Sequence, residues 1–212
     1  HLSDVAARTG REVARGERIG RIGYTGTGIN RRRAHLHFEV NLYLSDLFDS
    51  WYAANYSGAN RHGRYHGSNL SGIDASALFI AFERDPYLIL GDLIQRVTPA
   101  AYTVRVPGGY IPELVSRYAW MAPDASTNSP PRAWDIEIAP SGQPISFRGV
   151  DESTAEPRVV LVAEAVSRYE NSTNRMITRD RNAASGFALT TRGLSHLRLL
   201  TMPVAGSSDV AW

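Results

Sequence analysis

Two histidines, His35 and His37, stand one residue apart in the stretch Ala34-His35-Leu36-His37-Phe38-Glu39-Val40. In an extended chain, side chains two apart point to the same face. Two imidazoles sharing a face after a glycine-rich approach can hold a metal ion, or act as one ligand and one proton-transfer group. The same pattern is found in partly exposed strands that do no chemistry, so the surrounding residues have to decide. Glu39 alternates onto the same face. It could accept an imidazole N–H, or serve as an ordinary structural carboxylate. His62 and His66 form a second pair, but Gly63 between them disfavours a helix that would bring positions i and i+4 together.

The elements that must position this stretch lie before it. Glycine recurs at Gly10, Gly16, Gly20, Gly23, Gly26 and Gly28, separated by short alternating runs such as Arg18-Ile19-Gly20-Arg21-Ile22. Such runs are too short for helices and suit brief strands joined by tight turns. The segment reads as a small antiparallel β-unit with His35 and His37 on its last strand. The glycine spacing fits neither a dinucleotide fingerprint nor a P-loop, and no lysine follows it.

His1-Leu2-Ser3, Val5, Gly10, Val13, Gly16, Ile19-Gly20, Gly23, Thr25-Gly26 and His35-Leu36-His37-Phe38-Glu39-Val40 occur in an order and spacing that resemble the C-terminal half of the lysostaphin-type zinc endopeptidases. Those enzymes cut peptide bonds of bacterial peptidoglycan. The resemblance spans residues 1 to 40. It returns weakly at Gly72-Ile73-Asp74. It implies His37 as a zinc ligand, with His35 and His1 as catalytic histidines beside the ion. It also implies zinc as the cofactor, a peptidoglycan peptide as the substrate and an extracytoplasmic location. In that family two further ligands come from a His-x-x-x-Asp segment upstream of the region matching His1. No such segment occurs in these 212 residues. The chain also lacks an initiator Met, so it is expected to be part of a longer enzyme, and to bind zinc weakly and be inactive alone, because a catalytic zinc takes about three protein ligands.

Beyond Val40 the resemblance fades. Leu42 to Tyr52 has the makings of a short helix with an aromatic face. Asn55 to Asn69 reads as a polar loop whose Tyr56, Tyr65, His62 and His66, together with Tyr52, could contact a glycan or peptide, or simply face solvent. Residues 41–69 are therefore an expected insertion. Ile73 to Phe82 reads as a helix or closing strand, and Arg84-Asp85-Pro86 ends it.

From Tyr87 the text is one of short apolar segments and turns. Leu88-Ile89-Leu90 with Leu93-Ile94 makes an apolar patch, Tyr102–Val106 and Trp134–Ile138 alternate as strands, and Val159–Val166 fits strand or helix. Phe187–Thr190 and Leu197–Leu200 complete the set, and Asp124–Pro131 reads as a loop within it. Trp120, Trp134 and Trp212 are read as core residues rather than sugar platforms. The expected fold is mainly β. Residues 1–83 form the C-terminal part of an antiparallel β peptidase domain, and residues 84–212 form a β-rich accessory domain.

Composition bounds the alternatives. With 43% hydrophobic and 9% aromatic residues the chain can bury a substantial core. Net charge is +2, and all 23 basic residues are arginine, which points to a GC-rich coding sequence. Arg31-Arg32-Arg33 is the one basic run, too short to indicate nucleic-acid binding. The absence of cysteine excludes disulfides and thiolate metal sites. No apolar run approaches a membrane span. Besides the hydrolase, two readings stand. One is a non-catalytic relative that binds the cell wall or regulates another hydrolase. The other is a protein whose working part is residues 83–212, binding a glycan or a partner protein.

Overall fold

Alternation in Tyr102-Thr103-Val104-Arg105-Val106 and in Trp134-Asp135-Ile136-Glu137-Ile138 sends every second side chain to one face, and the two runs pair at the centre of the main sheet. The structure is a computed structural model describing residues 1–125, 129–163 and 176–204. It divides into two compact units, His1–Glu39 and Val40–Trp212. The expected seam near Glu83 is not where this division falls, because Leu42, Leu44, Phe48 and Trp51 share one apolar core with Val104, Ile136 and Leu197.

In the first unit, β1 (Leu2–Val5) pairs antiparallel with β2 (Gly20–Ile22), in the register Leu2 to Ile22 and Val5 to Gly20. The strand expected to carry His35 and His37 is reduced to a single bridge between Gly23 and His35. Residues 36–39 make no ladder, and Leu36 and Phe38 are 55% and 58% exposed.

The second unit opens with β3 (Val40–Tyr43), which returns to pair with β4 (Leu70–Ile73). Between them lie α1 (Phe48–Asn55) and two short 3-10 turns, so the helix expected from Leu42 begins six residues later. Phe48 and Trp51 are its buried face. The connection is closed by buried Asn69, whose amide oxygen accepts the Ser45 N–H at 2.9 Å and whose amide nitrogen donates to the Ser45 and Arg64 carbonyls, each at 2.9 Å. With its partners supplied, the buried amide has its desolvation offset by hydrogen bonds, and it fixes the loop.

After β4, Asp74 caps α2 (Ala75–Arg84) by accepting the Ala77 N–H at 3.0 Å. Next come α3 (Leu90–Val97), β5 (Tyr102–Pro107) and α4 (Glu113–Arg117). The chain continues through β6 (Ala133–Ile138), β7 (Pro144–Val150) and β8 (Arg158–Val162). It ends, among the described residues, with β9 (Ile177–Arg179), β10 (Phe187–Leu189) and α5 (Thr191–Leu200). The main sheet is antiparallel in the order β7-β6-β5-β8, and β9 pairs with β10. The antiparallel sheets match expectation. The helices hold as much of the chain as the strands, so the fold is mixed α/β and not clearly mainly β.

Leu197–Leu200, expected as a β segment, is the last turn of α5. Thr190 starts that helix by accepting the Gly193 N–H on its hydroxyl at 3.1 Å, and Leu197, Leu199 and Leu200 are buried. Trp134 is fully buried and Trp120 packs against the same core, as expected, whereas Trp212 lies outside the described residues. So do 164–166 of the Val159–Val166 segment and 126–128 of the Asp124–Pro131 loop. Among the described residues no helix is long and apolar enough to cross a membrane.

Two ionisable groups inside this unit generate predictions. The buried carboxylate of Glu113 accepts the Ser45 hydroxyl at 2.6 Å, the Asp46 N–H at 2.8 Å and the Arg117 guanidinium at 2.5 Å. Glu113→Ala strands those donors and is expected to cost about 2–4 kcal/mol in urea unfolding. His196 donates Nε2–H to the Gly142 carbonyl at 2.8 Å. Burial pushes its pKa below the ordinary value, the Gly142 carbonyl opposes that shift, and the Arg192 charge adds to it. The unfolded chain therefore takes up this proton first as pH falls. The contribution is present in full above about pH 6.5 and is lost between that value and the lower native pKa. The urea midpoint should fall between about pH 8 and about pH 5.5, and His196→Gln should narrow that fall.

Candidate metal centre

The first unit gathers imidazoles from both of its ends. Pairing of β1 with β2 sets His1 beside the residue that follows β2, and that residue, Gly23, bridges to His35. The approach is close enough to demand glycine. A Cβ on Gly23 would sit 2.5 Å from the Ser3 nitrogen and 2.8 Å from the His1 carbonyl oxygen. Gly26, at φ +153°, leaves room for the His1 ring itself, since a Cβ there would meet Cε1 at 2.9 Å and Nδ1 at 3.1 Å.

The result is a trio. The ring centroids of His1 and His35 are 4.7 Å apart, those of His1 and His37 4.8 Å, and those of His35 and His37 5.0 Å. One ring nitrogen from each residue lies within 4.8 Å of the others. His1 and His35 are half-buried and His37 is exposed. No other group of three or more such side chains gathers among the described residues.

The Nδ1 of each ring is engaged. His1 Nδ1–H donates to the Thr25 carbonyl, His35 Nδ1–H to the Arg33 carbonyl at 2.6 Å, and His37 Nδ1–H to Glu39 Oε1 at 2.9 Å. These acceptors select the Nδ1–H tautomer and leave each Nε2 lone pair available. Metal-ligating histidines are held in the same way, by a carbonyl or carboxylate behind the ring.

The three imidazoles fit zinc by donor type and by tautomer. Tetrahedral zinc with Zn–N near 2.0–2.1 Å asks for nitrogens about 3.3 Å apart, a modest contraction of this group. The trio can divide its work in two ways, as three ligands, or as one ligand with two groups that handle protons. His1, His35 and His37, each singled out in the sequence, are thus brought together, and Glu39 stands behind His37.

His62 and His66 have ring centroids 5.9 Å apart, and among the described residues no third metal-binding side chain joins them. His66 instead stacks on Phe48 at 5.5 Å, meets Tyr52 at 5.2 Å edge-on, and accepts the Ser68 N–H on Nδ1 at 3.1 Å. The carbonyls of Thr25 and Arg33 carry no signal in the sequence, because any residue type supplies one. The glycines at 23 and 26 are the visible trace of the close packing around His1.

No protein-family model, no curated protein and no solved structure matches this chain. The site is therefore argued from its own geometry. Removing the carboxylate behind His37 frees that ring to rotate. Glu39→Ala is expected to weaken zinc binding about 10–100-fold, measured by competition with a chromophoric chelator.

Proposed function

We propose that the imidazole trio belongs to a zinc-dependent endopeptidase that hydrolyses peptide bonds of bacterial peptidoglycan outside the cytoplasm. The trio, with every Nδ1 committed and every Nε2 available, is the observation that carries this reading. The ordered resemblance of residues 1 to 40 to the lysostaphin-type enzymes supports it. On this reading, His37 Nε2 is a ligand, and the other protein ligands come from a His-x-x-x-Asp segment that these 212 residues do not contain.

A zinc ion held there would supply Lewis-acid polarisation of the scissile carbonyl and a water of lowered pKa. His35, its Nδ1–H fixed on the Arg33 carbonyl, takes a proton from the attacking water on Nε2 as the new C–O bond forms. The same proton then passes to the leaving amide nitrogen as the C–N bond breaks. His1, oriented by the Thr25 carbonyl, faces the negative charge that develops on the carbonyl oxygen and stabilises it when protonated.

A polypeptide in which a His-x-x-x-Asp segment precedes His1 should clear cell-wall suspensions, stop when a chelator is added, and lose at least about 100-fold of that activity in His37→Ala. The 212-residue chain alone should bind zinc weakly. Undiminished clearing by His37→Ala would overturn the assignment of the ligand. Tight one-to-one zinc binding by the 212-residue chain would instead make all three imidazoles ligands.

A further inference from the structure

We propose that the second unit carries a saccharide-binding site in the cavity walled by α1, α5 and the turn between β6 and β7. The cavity has a volume of about 490 Å³, within the range of small-ligand sites and roomy enough for one or two sugar rings. It shares no residue with the imidazole trio. The inference goes beyond the hydrolytic reading and does not need it.

The walls come from distant parts of the chain and are locked to each other. Trp51 Nε1–H donates to the Ser195 carbonyl at 2.7 Å, and the Ser195 hydroxyl donates to the Asn55 amide oxygen. The Asn55 amide nitrogen donates back to the Trp51 carbonyl at 2.7 Å. The next residue of α5, His196, is fixed to the Gly142 carbonyl through Nε2–H, which leaves Nδ1 as its acceptor. A cavity whose walls are tied before a ligand arrives loses little entropy on binding.

The lining chooses the ligand class. It presents Arg192 and no carboxylate, so a cation finds no counter-charge there, whereas a neutral or acidic ligand is accepted. Its other polar groups are hydroxyls, an amide and an imidazole, which between them both donate and accept. Tyr56, 46% exposed, lines the cavity with its ring backed by Tyr52, stacked on it at 4.7 Å, and its hydroxyl lies 3.4 Å from the Ser68 hydroxyl. An apolar ring beside hydroxyls that can donate or accept suits a sugar, which offers C–H groups on its face and hydroxyls around its edge.

One side of the cavity is left open by two glycines. A Cβ on Gly67 would meet nothing within 4 Å, and one on Gly72 would meet only the Asn41 side chain, at 3.6 Å. A large side chain at Gly67 is therefore tolerated by the fold and crowds the mouth.

The experiment is calorimetric titration of the metal-stripped 212-residue chain with N-acetylglucosamine and its β-1,4-linked disaccharide. Glucuronate and inorganic phosphate are run beside them. A saccharide is expected to bind with a dissociation constant of about 1 mM or tighter. Tyr56→Ala and Gly67→Trp, each with an unchanged unfolding midpoint, should weaken that binding by about tenfold or more. Tyr65→Ala, outside the cavity, should leave it unchanged. Heat with phosphate but with no saccharide would overturn the proposal and mark an anion site. No binding of any saccharide, or binding that both folded cavity variants leave intact, would also overturn it. Because the chain is free of metal, failure here says nothing against the hydrolytic reading, and failure of the cell-wall assay says nothing against this one.

Discussion

At Gly23 the backbone that follows β2 lies against β1 with no room for a side chain, a Cβ there coming within 2.5 Å of the Ser3 nitrogen. That approach decides the arrangement of the trio. It sets His1 beside the end of β2, and the bridge from Gly23 to His35 brings in the second ring. His37 follows two residues later. Three imidazoles separated by up to 36 positions in sequence thus meet through one close backbone contact and the space left at Gly26. The carbonyls of Thr25 and Arg33 then set the tautomers of His1 and His35.

The second unit solves a different problem. Its apolar core is bounded by two enclosed carboxylates, Asp135 and Glu113, each held by several donors. On the polar face of the main sheet, Asp135 is almost wholly buried and takes both a bidentate pair from Arg105, at 2.7 and 2.9 Å, and a bond from Arg148 at 3.0 Å. At the start of α4, Glu113 does the same for Ser45, Asp46 and Arg117. Buried charges of this kind add less to net stability than their short distances suggest, because desolvation opposes them. What they impose is register, since a slip along β5 or β6 would leave a carboxylate unpaired.

Sequence alone reached the strands that alternate cleanly. Tyr102–Val106 and Trp134–Ile138 are found as β5 and β6 because one face is core and the other polar. It misjudged Leu197–Leu200, since a short apolar run fits either periodicity, and the deciding signal was Thr190 three residues ahead of Gly193. Ile145-Ser146-Phe147-Arg148 was not singled out, although that run alternates and lies in β7. For the site, His35 and His37 were visible as a pair, and Glu39 as their neighbour. That His1 joins them has no local signature, and only the resemblance suggested it. The cavity in the second unit was invisible, because its two main walls are separated by some 140 positions and meet only through tertiary packing.

Of the first 39 residues, Gly23 alone is buried. A unit with no apolar interior keeps its shape through surface hydrogen bonds and two short strands, which places it at the low end of local stability. A ligand that binds the assembled trio but not the open chain adds a term that grows with the logarithm of its concentration above the dissociation constant. If the trio holds a metal as proposed, occupancy and order in this unit would be two readings of one equilibrium, visible as amide hydrogen exchange in β1 and β2.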